Sequence, residues 1–358
     1  MNERTTVLVT GAAGGVGTHV VRELRRAGYL VRATDLPGRE FAFGGSRVSI
    51  VEGDLLDRRF VRDLPQGASY VIHSAAVTDA RLPRADIEAV NVDATKRLWS
   101  AAAAHGVSRF VYLSSGSIYH GSNDPLDESA PQEPFGNYER SKFLAEKALM
   151  RGKFAGDQLE LIILRTAWVI GPFATALMAS VATVPPLFKH YLGFAIKARG
   201  GPVSSMVHSL DVARAAIHFL TRGEDGGIYN IASDDRLAFA DYFNIACSEY
   251  GLAVVPGLPL WIPSTGALSL LGRFGSRPEP VEFLNSVGAT LWERLRKRYD
   301  LSDALRPRID VAAFHHGTAN LVLETTRARN AGFECLFPDY RSAIRDVLER
   351  YQKARWIP

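Results

Sequence analysis

The stretch Val7-Leu8-Val9-Thr10-Gly11-Ala12-Ala13-Gly14-Gly15-Val16-Gly17 passes from an apolar run through a glycine-rich turn into helical spacing. Its first three residues are apolar without alternation, the pattern of a strand covered on both faces. From Val16 to Arg26 apolar residues recur at helical intervals, and Gly28 stands where a helix end favours glycine. The same rhythm continues outward. Apolar runs follow at Leu30–Ala33, Val48–Val51, Tyr70–His73, Phe110–Leu113 and Leu161–Leu164, and helical spacing covers Ala85–His105 and Asn137–Met150. Strands that are apolar throughout, alternating with helices, predict an α/β fold with a doubly wound parallel sheet.

After about Gly171 the rhythm gives way to shorter pieces richer in Pro and Gly, until a last amphipathic helix at Tyr340–Lys353. Residues 1–170 are therefore expected to form the core, and 171–358 a smaller, irregular region that shapes a substrate pocket. Part of that region, about 203–235, is expected to return to the core. Two stretches, Thr166 to Phe188 and Tyr250 to Gly272, carry no charge and are long enough to cross a bilayer. Pro172, Pro185 and Pro186 interrupt the first, and Pro256, Pro259 and Pro263 the second. Prolines at that density break a helix, so buried structure is expected, with room for a peripheral membrane contact. An apolar content of 47% and a charged content of 22% are ordinary for a globular chain. The formal charge of +4 is scattered along the sequence, which argues against nucleic acid as a partner. Cys247 and Cys335 make no disulfide framework. A reducing cytoplasm suits them, and no metal is expected.

The glycine turn has a chemical use. Glycine lets a backbone approach a pyrophosphate closely, and the helix that follows offers free N–H groups and the positive end of its dipole. Asp35 ends the second apolar run, where a carboxylate can accept hydrogen bonds from a ribose diol and repel a 2′-phosphate. The expected cofactor is thus NAD, with NADP disfavoured, although Arg39 lies close by in sequence. Asp54-Leu55 follows the third strand and Ser74-Ala75-Ala76 the fourth, at strand ends where ligands of such sheets collect.

Tyr138-Glu139-Arg140-Ser141-Lys142 opens a helix and sets Tyr138 and Lys142 one turn apart on one face. A phenol titrates near pH 10, and a neighbouring ammonium favours its ionised form. Tyr138 could then exchange a proton with a substrate oxygen. Ser114-Ser115-Gly116-Ser117-Ile118-Tyr119, after the fifth strand, offers a hydroxyl to the same oxygen.

These motifs resemble the extended short-chain dehydrogenase/reductases, the superfamily of NAD-dependent epimerases and dehydratases. The likeness runs from Thr10-Gly11-x-x-Gly14-x-x-Gly17 through Asn91-Val92-x-x-Thr95 and Tyr138-x-x-x-Lys142. It continues through Leu164-Arg165, Val207-His208-Ser209-Leu210-Asp211 and Tyr229-Asn230-Ile231-Ala232 to Gly332-Phe333. It implies Ser115 as the catalytic hydroxyl, Tyr138 as proton donor, and Lys142 as activator of the tyrosine and ligand of the nicotinamide ribose. Gly11, Gly14, Gly15, Val16 and Gly17 would line the pyrophosphate turn, with Asp35 at the adenosine ribose. Asp54, Leu55, Ser74, Ala75, Ala76, Asn91 and Ala167 would lie near the cofactor. Homodimers built through a helix bundle are common among such proteins.

Two departures bear on the substrate. Dehydratases of this group carry an acidic pair where Gly116-Ser117 stand here. Nucleotide-sugar members carry an arginine where Ser204 stands. The sequence therefore looks most like the branch acting on 3β-hydroxysteroids and related apolar alcohols and ketones. Trp168, Phe173, Phe188 and Trp261 are expected nearest that substrate. A nucleotide-sugar 4-epimerase or reductase is the alternative, with Arg306 or Arg308 replacing the missing cation. A dinucleotide-sensing protein without catalysis is a third reading, disfavoured by the intact Tyr-Lys pair.

Overall fold

The computed structural model describes residues 5–79, 82–156, 158–172, 175–262, 279–307 and 320–358, with backbone alone at 175–180, 257–262, 279–281 and 284. The expected runs form β1 (Thr6–Thr10), β2 (Leu30–Asp35), β3 (Val48–Glu52), β4 (Tyr70–His73), β5 (Arg109–Ser115) and β6 (Glu160–Thr166). Gly227–Ile231 pairs with β6, and seven parallel strands lie in the order Gly227–Ile231, β6, β5, β4, β1, β2, β3. The sheet is doubly wound. Its order reverses between β1 and β4, which opens a crevice beyond their C-terminal ends at Thr10 and His73.

Each face of the sheet is buried by helices, which explains the unbroken apolar runs. Val7 and Val9 point into one cluster with Val20, Leu24, Val212 and Phe219, from helices Gly15–Arg26 and Ser209–His218. Leu8 points the other way, to Leu98 of helix Thr95–Ala104 and Leu149 of helix Asn137–Phe154. Met206–His208 pairs with Trp168–Ile170 just past β6. A third cluster, including Trp292, Leu295, Ile344 and Tyr351, joins helices Glu279–Tyr299 and Tyr340–Lys353.

Two local expectations need correction. The helix expected at Ala85–His105 carries a π turn, Ala89–Ala94, between its flanking α segments. The break expected at Pro185 and Pro186 is absent, and both lie inside helix Thr175–Tyr191. The two missing N–H groups are adjacent, so the ladder is lost in one turn, while Val181 before it and Leu187 after it pack into the third cluster. In the second uncharged stretch, Pro256 and Pro259 fall within strand Ala253–Ile262, where the pairing shifts register between Val255 and Leu260. Prolines cost least at such an irregularity because no ladder donor is lost there. Among the described residues no helix is long and apolar enough to cross a membrane.

Candidate active site

At the sheet's reversal point the chain turns so sharply that side chains are excluded. Gly11 has φ +67°, and a Cβ there would lie 2.7 Å from the Ala75 backbone. A Cβ on Gly17 would lie 2.0 Å from the Gly11 carbonyl oxygen. The Gly14 N–H closes the turn onto that same carbonyl at 3.0 Å. Gly14 then begins helix Gly15–Arg26 with no capping side chain and no acidic residue in the first turn. The N–H groups of Gly15, Val16 and Gly17 consequently have no partner within their helix and sit at its positive end. A pyrophosphate fits that cradle.

Asp35 stands at the same turn. Its Oδ2 accepts from the Ala13 N–H at 2.9 Å and its Oδ1 from the Leu36 N–H at 2.9 Å. The carboxylate thus braces the turn against β2, and each oxygen retains a lone pair for a ribose hydroxyl. Asp54 is exposed and ties down its own turn, accepting from the Leu56 N–H at 2.8 Å, while Leu55 is buried beneath it. The Ser74 hydroxyl donates to the Thr10 carbonyl at 2.6 Å, and Ala75 and Ala76 are small and half-buried. Ala167 is buried, its N–H donating to the Ile231 carbonyl at 2.9 Å.

The three expected catalytic side chains converge at the end of β5. Ser115 is its last residue, and the Ser115 hydroxyl accepts from the Ser117 N–H at 3.2 Å, lies 2.8 Å from the Ser117 hydroxyl, and faces the Tyr138 phenol. Lys142 is buried, donates from Nζ to the Leu113 carbonyl at 2.7 Å, and lies 5.9 Å from the Tyr138 ring centre. Burial pushes Lys142 down to about 7, and Glu146 opposes that fall. Burial pushes the Tyr138 phenol above its ordinary value; Glu139 adds to the rise, and the Ser115 hydroxyl counters it. Tyr138 is therefore protonated at neutral pH in this state, ready to donate. Positive charge brought alongside would lower its pKa and let it accept.

A buried polar column joins the two ends. His73 lies between the hydroxyls of Thr10, at 2.6 Å from Nδ1, and Thr95, at 2.8 Å from Nε2. The Thr95 hydroxyl donates to the Asn91 carbonyl at 2.9 Å, so Nε2–H must donate to Thr95 and Nδ1 must accept from Thr10. Burial and the Lys142 charge push His73 down to about 3, which keeps this neutral form. The Asn91 side chain clasps the Val77 backbone, accepting at 2.8 Å and donating at 2.9 Å, and donates to the Ser141 hydroxyl at 2.9 Å. Ser141 in turn donates to the Tyr138 carbonyl at 2.6 Å. Asn91 thus orients the catalytic helix through side-chain bonds already made. Thr10, Thr95 and Ser141 stand within the quoted motifs but received no role from the sequence, because a lone hydroxyl carries no signal until its partners are known.

A model of the "NAD dependent epimerase/dehydratase family" matches residues 7–232, well over half of the chain. The chain belongs to that family. It is accordingly an NAD-dependent extended short-chain dehydrogenase/reductase. A dTDP-D-glucose 4,6-dehydratase of Mus musculus is 31% identical over 247 residues, 65% of this chain and 69% of its own length. Sterol demethylase protein B of Methylococcus capsulatus is 34% identical over 174 residues, covering 47% of this chain and 52% of its own. The crystal structure of the Thermotoga maritima UDP-glucose 4-epimerase with UDP-glucose superposes with a TM-score of 0.72 at 20% identity. It covers 98% of this chain and 99% of that one.

Position 204, where the sequence has serine instead of the arginine that the resemblance implies for nucleotide-sugar members, lies inside the fold. Ser204 is buried on the short strand Val203–Ser204, and its carbonyl accepts from the Tyr242 hydroxyl at 2.7 Å. Arg306 is largely exposed and paired with Asp303 at 2.6 Å, while Arg308 lies outside the described residues. Of the expected substrate aromatics, half-buried Trp168 meets Phe239 edge-on at 5.3 Å. Phe188 packs on Phe243 in a small cluster with Cys247 and Leu252. Phe173 and the Trp261 side chain lie outside the described residues.

Proposed function

We propose that this protein is an NAD-dependent oxidoreductase that interconverts a secondary alcohol and a ketone on an apolar, steroid-like or lipidic substrate. The single observation that carries the substrate class is Ser204, a small buried residue where a diphosphate would need a cation. A diphosphate without that partner forfeits a charge-assisted bond of roughly 1.5–3 kcal/mol. The likeness to a sterol demethylase protein supports the same class. Residues 171–202 and 236–358 would supply the substrate pocket, and apolar area there contributes about 25 cal/mol per Å² buried.

When bound, NAD would supply the hydride acceptor or donor. Gly11, Gly14, Gly15, Val16 and Gly17 would hold its pyrophosphate and Asp35 the adenosine ribose, with the carboxylate disfavouring the 2′-phosphate of NADP. In the oxidative direction Tyr138 would take the proton from the substrate hydroxyl, and the same carbon would give its hydride to bound NAD, leaving a ketone. In the reductive direction Tyr138 returns that proton to the carbonyl oxygen. Ser115 holds the reacting oxygen by hydrogen bond, and the Lys142 ammonium favours the phenolate.

The second reading, a nucleotide-sugar 4-epimerase or reductase, has the likeness to the dTDP-D-glucose dehydratase in its favour. Competition between hydroxysteroids and UDP-sugars, read by turnover or fluorescence, separates the two. Turnover of a hydroxysteroid with UDP-sugars inert is the expected result. Micromolar binding of a UDP-sugar, with no response to any apolar alcohol or ketone, would overturn the proposal.

A further inference from the structure

Beneath the catalytic pair lies a buried ion pair that the reaction chemistry leaves unused. Glu146 follows Lys142 by one helical turn, and both side chains are almost fully buried. Arg165, at the end of β6 and 1% exposed, grips Glu146 with Nε at 3.1 and 3.2 Å and Nη2 at 2.7 Å. Its Nη1 donates to the Tyr119 hydroxyl at 2.8 Å and to the Glu128 carbonyl at 3.0 Å. Tyr119 passes the chain on, donating to Asn230 Oδ1 at 2.8 Å, and Asn230 donates to the carbonyls of Leu126 and Glu324. The Glu146 carboxylate is thereby tied to a strand and a loop outside its own helix.

A buried ion pair gains little net stability, because desolvation cancels much of the attraction. Its position here suggests another use. We propose that Glu146 is a positioning residue, clamped by Arg165 so that its carboxylate stays one helical turn from Lys142 and sets the electric field under Tyr138. This rests on the assignment of Tyr138 and Lys142 as the proton-transfer pair. Among the described residues the other titratable groups facing Lys142 are His73 on β4, which is neutral, and the phenols of Tyr112 on β5 and Tyr138 on its own helix. Glu146 is thus the anion that offsets the burial of Lys142.

The sign is fixed by electrostatics. Removing the carboxylate makes the local potential more positive and lowers the titration midpoint of Lys142; removing the guanidinium raises it. At an effective dielectric of about 20, a charge one helical turn away, about 6 Å, shifts a midpoint by about two units. The test is ¹⁵N NMR titration of the Lys142 ammonium in the full chain without substrate, assigned by its loss in Lys142→Met. Glu146→Gln is expected to move the midpoint down, and Arg165→Met to move it up. The double variant Glu146→Gln/Arg165→Met leaves neither charge unpaired in the core, so it covers the case in which a single variant fails to fold. It is expected to shift down by less than Glu146→Gln alone, since it also removes the opposing guanidinium. The pH midpoint of kcat should move in the same directions. Wild-type midpoints in every folded variant, whatever their kcat, would overturn the proposal and leave the pair a purely structural clasp. Because the titration needs no substrate, its outcome is separate from the question of which alcohol is oxidised.

Discussion

The nucleotide end and the catalytic end of the crevice are built by opposite means. At the glycine turn the essential feature is space, since a Cβ on Gly11 or Gly17 would collide with backbone. Recognition there would fall to N–H groups and a single carboxylate, Asp35. At the catalytic end the essential feature is crowding, with Lys142, Glu146, Arg165 and Tyr112 all buried side by side. Backbone groups carry fixed partial charges that binding can use directly, whereas side-chain acids and bases need burial and neighbours to tune them. His73 joins the two, with one ring nitrogen on the turn and the other on the column that leads to Tyr138.

If the two ends divide the work, perturbing one should spare the other. The largest expected effect is at the catalytic end. Tyr138→Phe should lower kcat by roughly 10²–10⁴-fold, the usual scale of general acid–base catalysis, with NAD affinity nearly unchanged. Steady-state kinetics beside fluorescence titration of NAD checks both halves, and retention of more than half of kcat would remove Tyr138 from its role.

A smaller effect is expected at the nucleotide end. Asp35→Ala should weaken NAD by about one to two decades and relax discrimination against NADP, as hydrogen bonds to a charged group are worth roughly 1.5–3 kcal/mol. Single-turnover hydride transfer at saturating NAD should stay near wild type. Tighter binding of NADP than NAD by the wild type would shift attention from Asp35 to Arg39.

The joint between the ends gives the smallest and most graded effect. The folded-state pKa of His73 is depressed to about 3, so the unfolded chain binds the extra proton between about pH 6.5 and 3. Stability is therefore full above pH 6.5 and is lost as pH falls through that window, by at most about 1.4 kcal/mol per pH unit for each such histidine. Buried His19, also pushed down to about 3 by burial and the nearby His208, adds to the slope. Denaturant unfolding from pH 7 to 5 should show it, and His73→Asn should flatten it by about one proton's worth. An unchanged slope in that variant would place the acid sensitivity elsewhere.

Much of this molecule is legible in its residues. Six apolar runs predict β1 to β6 to within about two residues, and the final helix lies at Tyr340–Lys353 as its periodicity indicates. The glycine turn, Ser115, Tyr138 and Lys142 are visible as candidates because their placement depends on spacing along one strand end or one helix face. The prolines at 185 and 186 mislead, since a local rule about a lost N–H says nothing of the packing that holds the helix together beyond it. The π turn at Ala89–Ala94 is equally silent in sequence, although it carries Asn91 to Val77 and Ser141.

What the sequence determined is whatever repeats at short range: strand period, helix period, a turn that only glycine can make, and a Tyr and Lys four residues apart. What the tertiary structure decided is every relation between distant segments. It placed Thr10 and Thr95 on the two nitrogens of His73, Arg165 against Glu146, and Ser204 under the Tyr242 hydroxyl. Such contacts depend on which elements the sheet order brings together, and side-chain hydrogen bonds become strong enough to matter only once folding has excluded water from them.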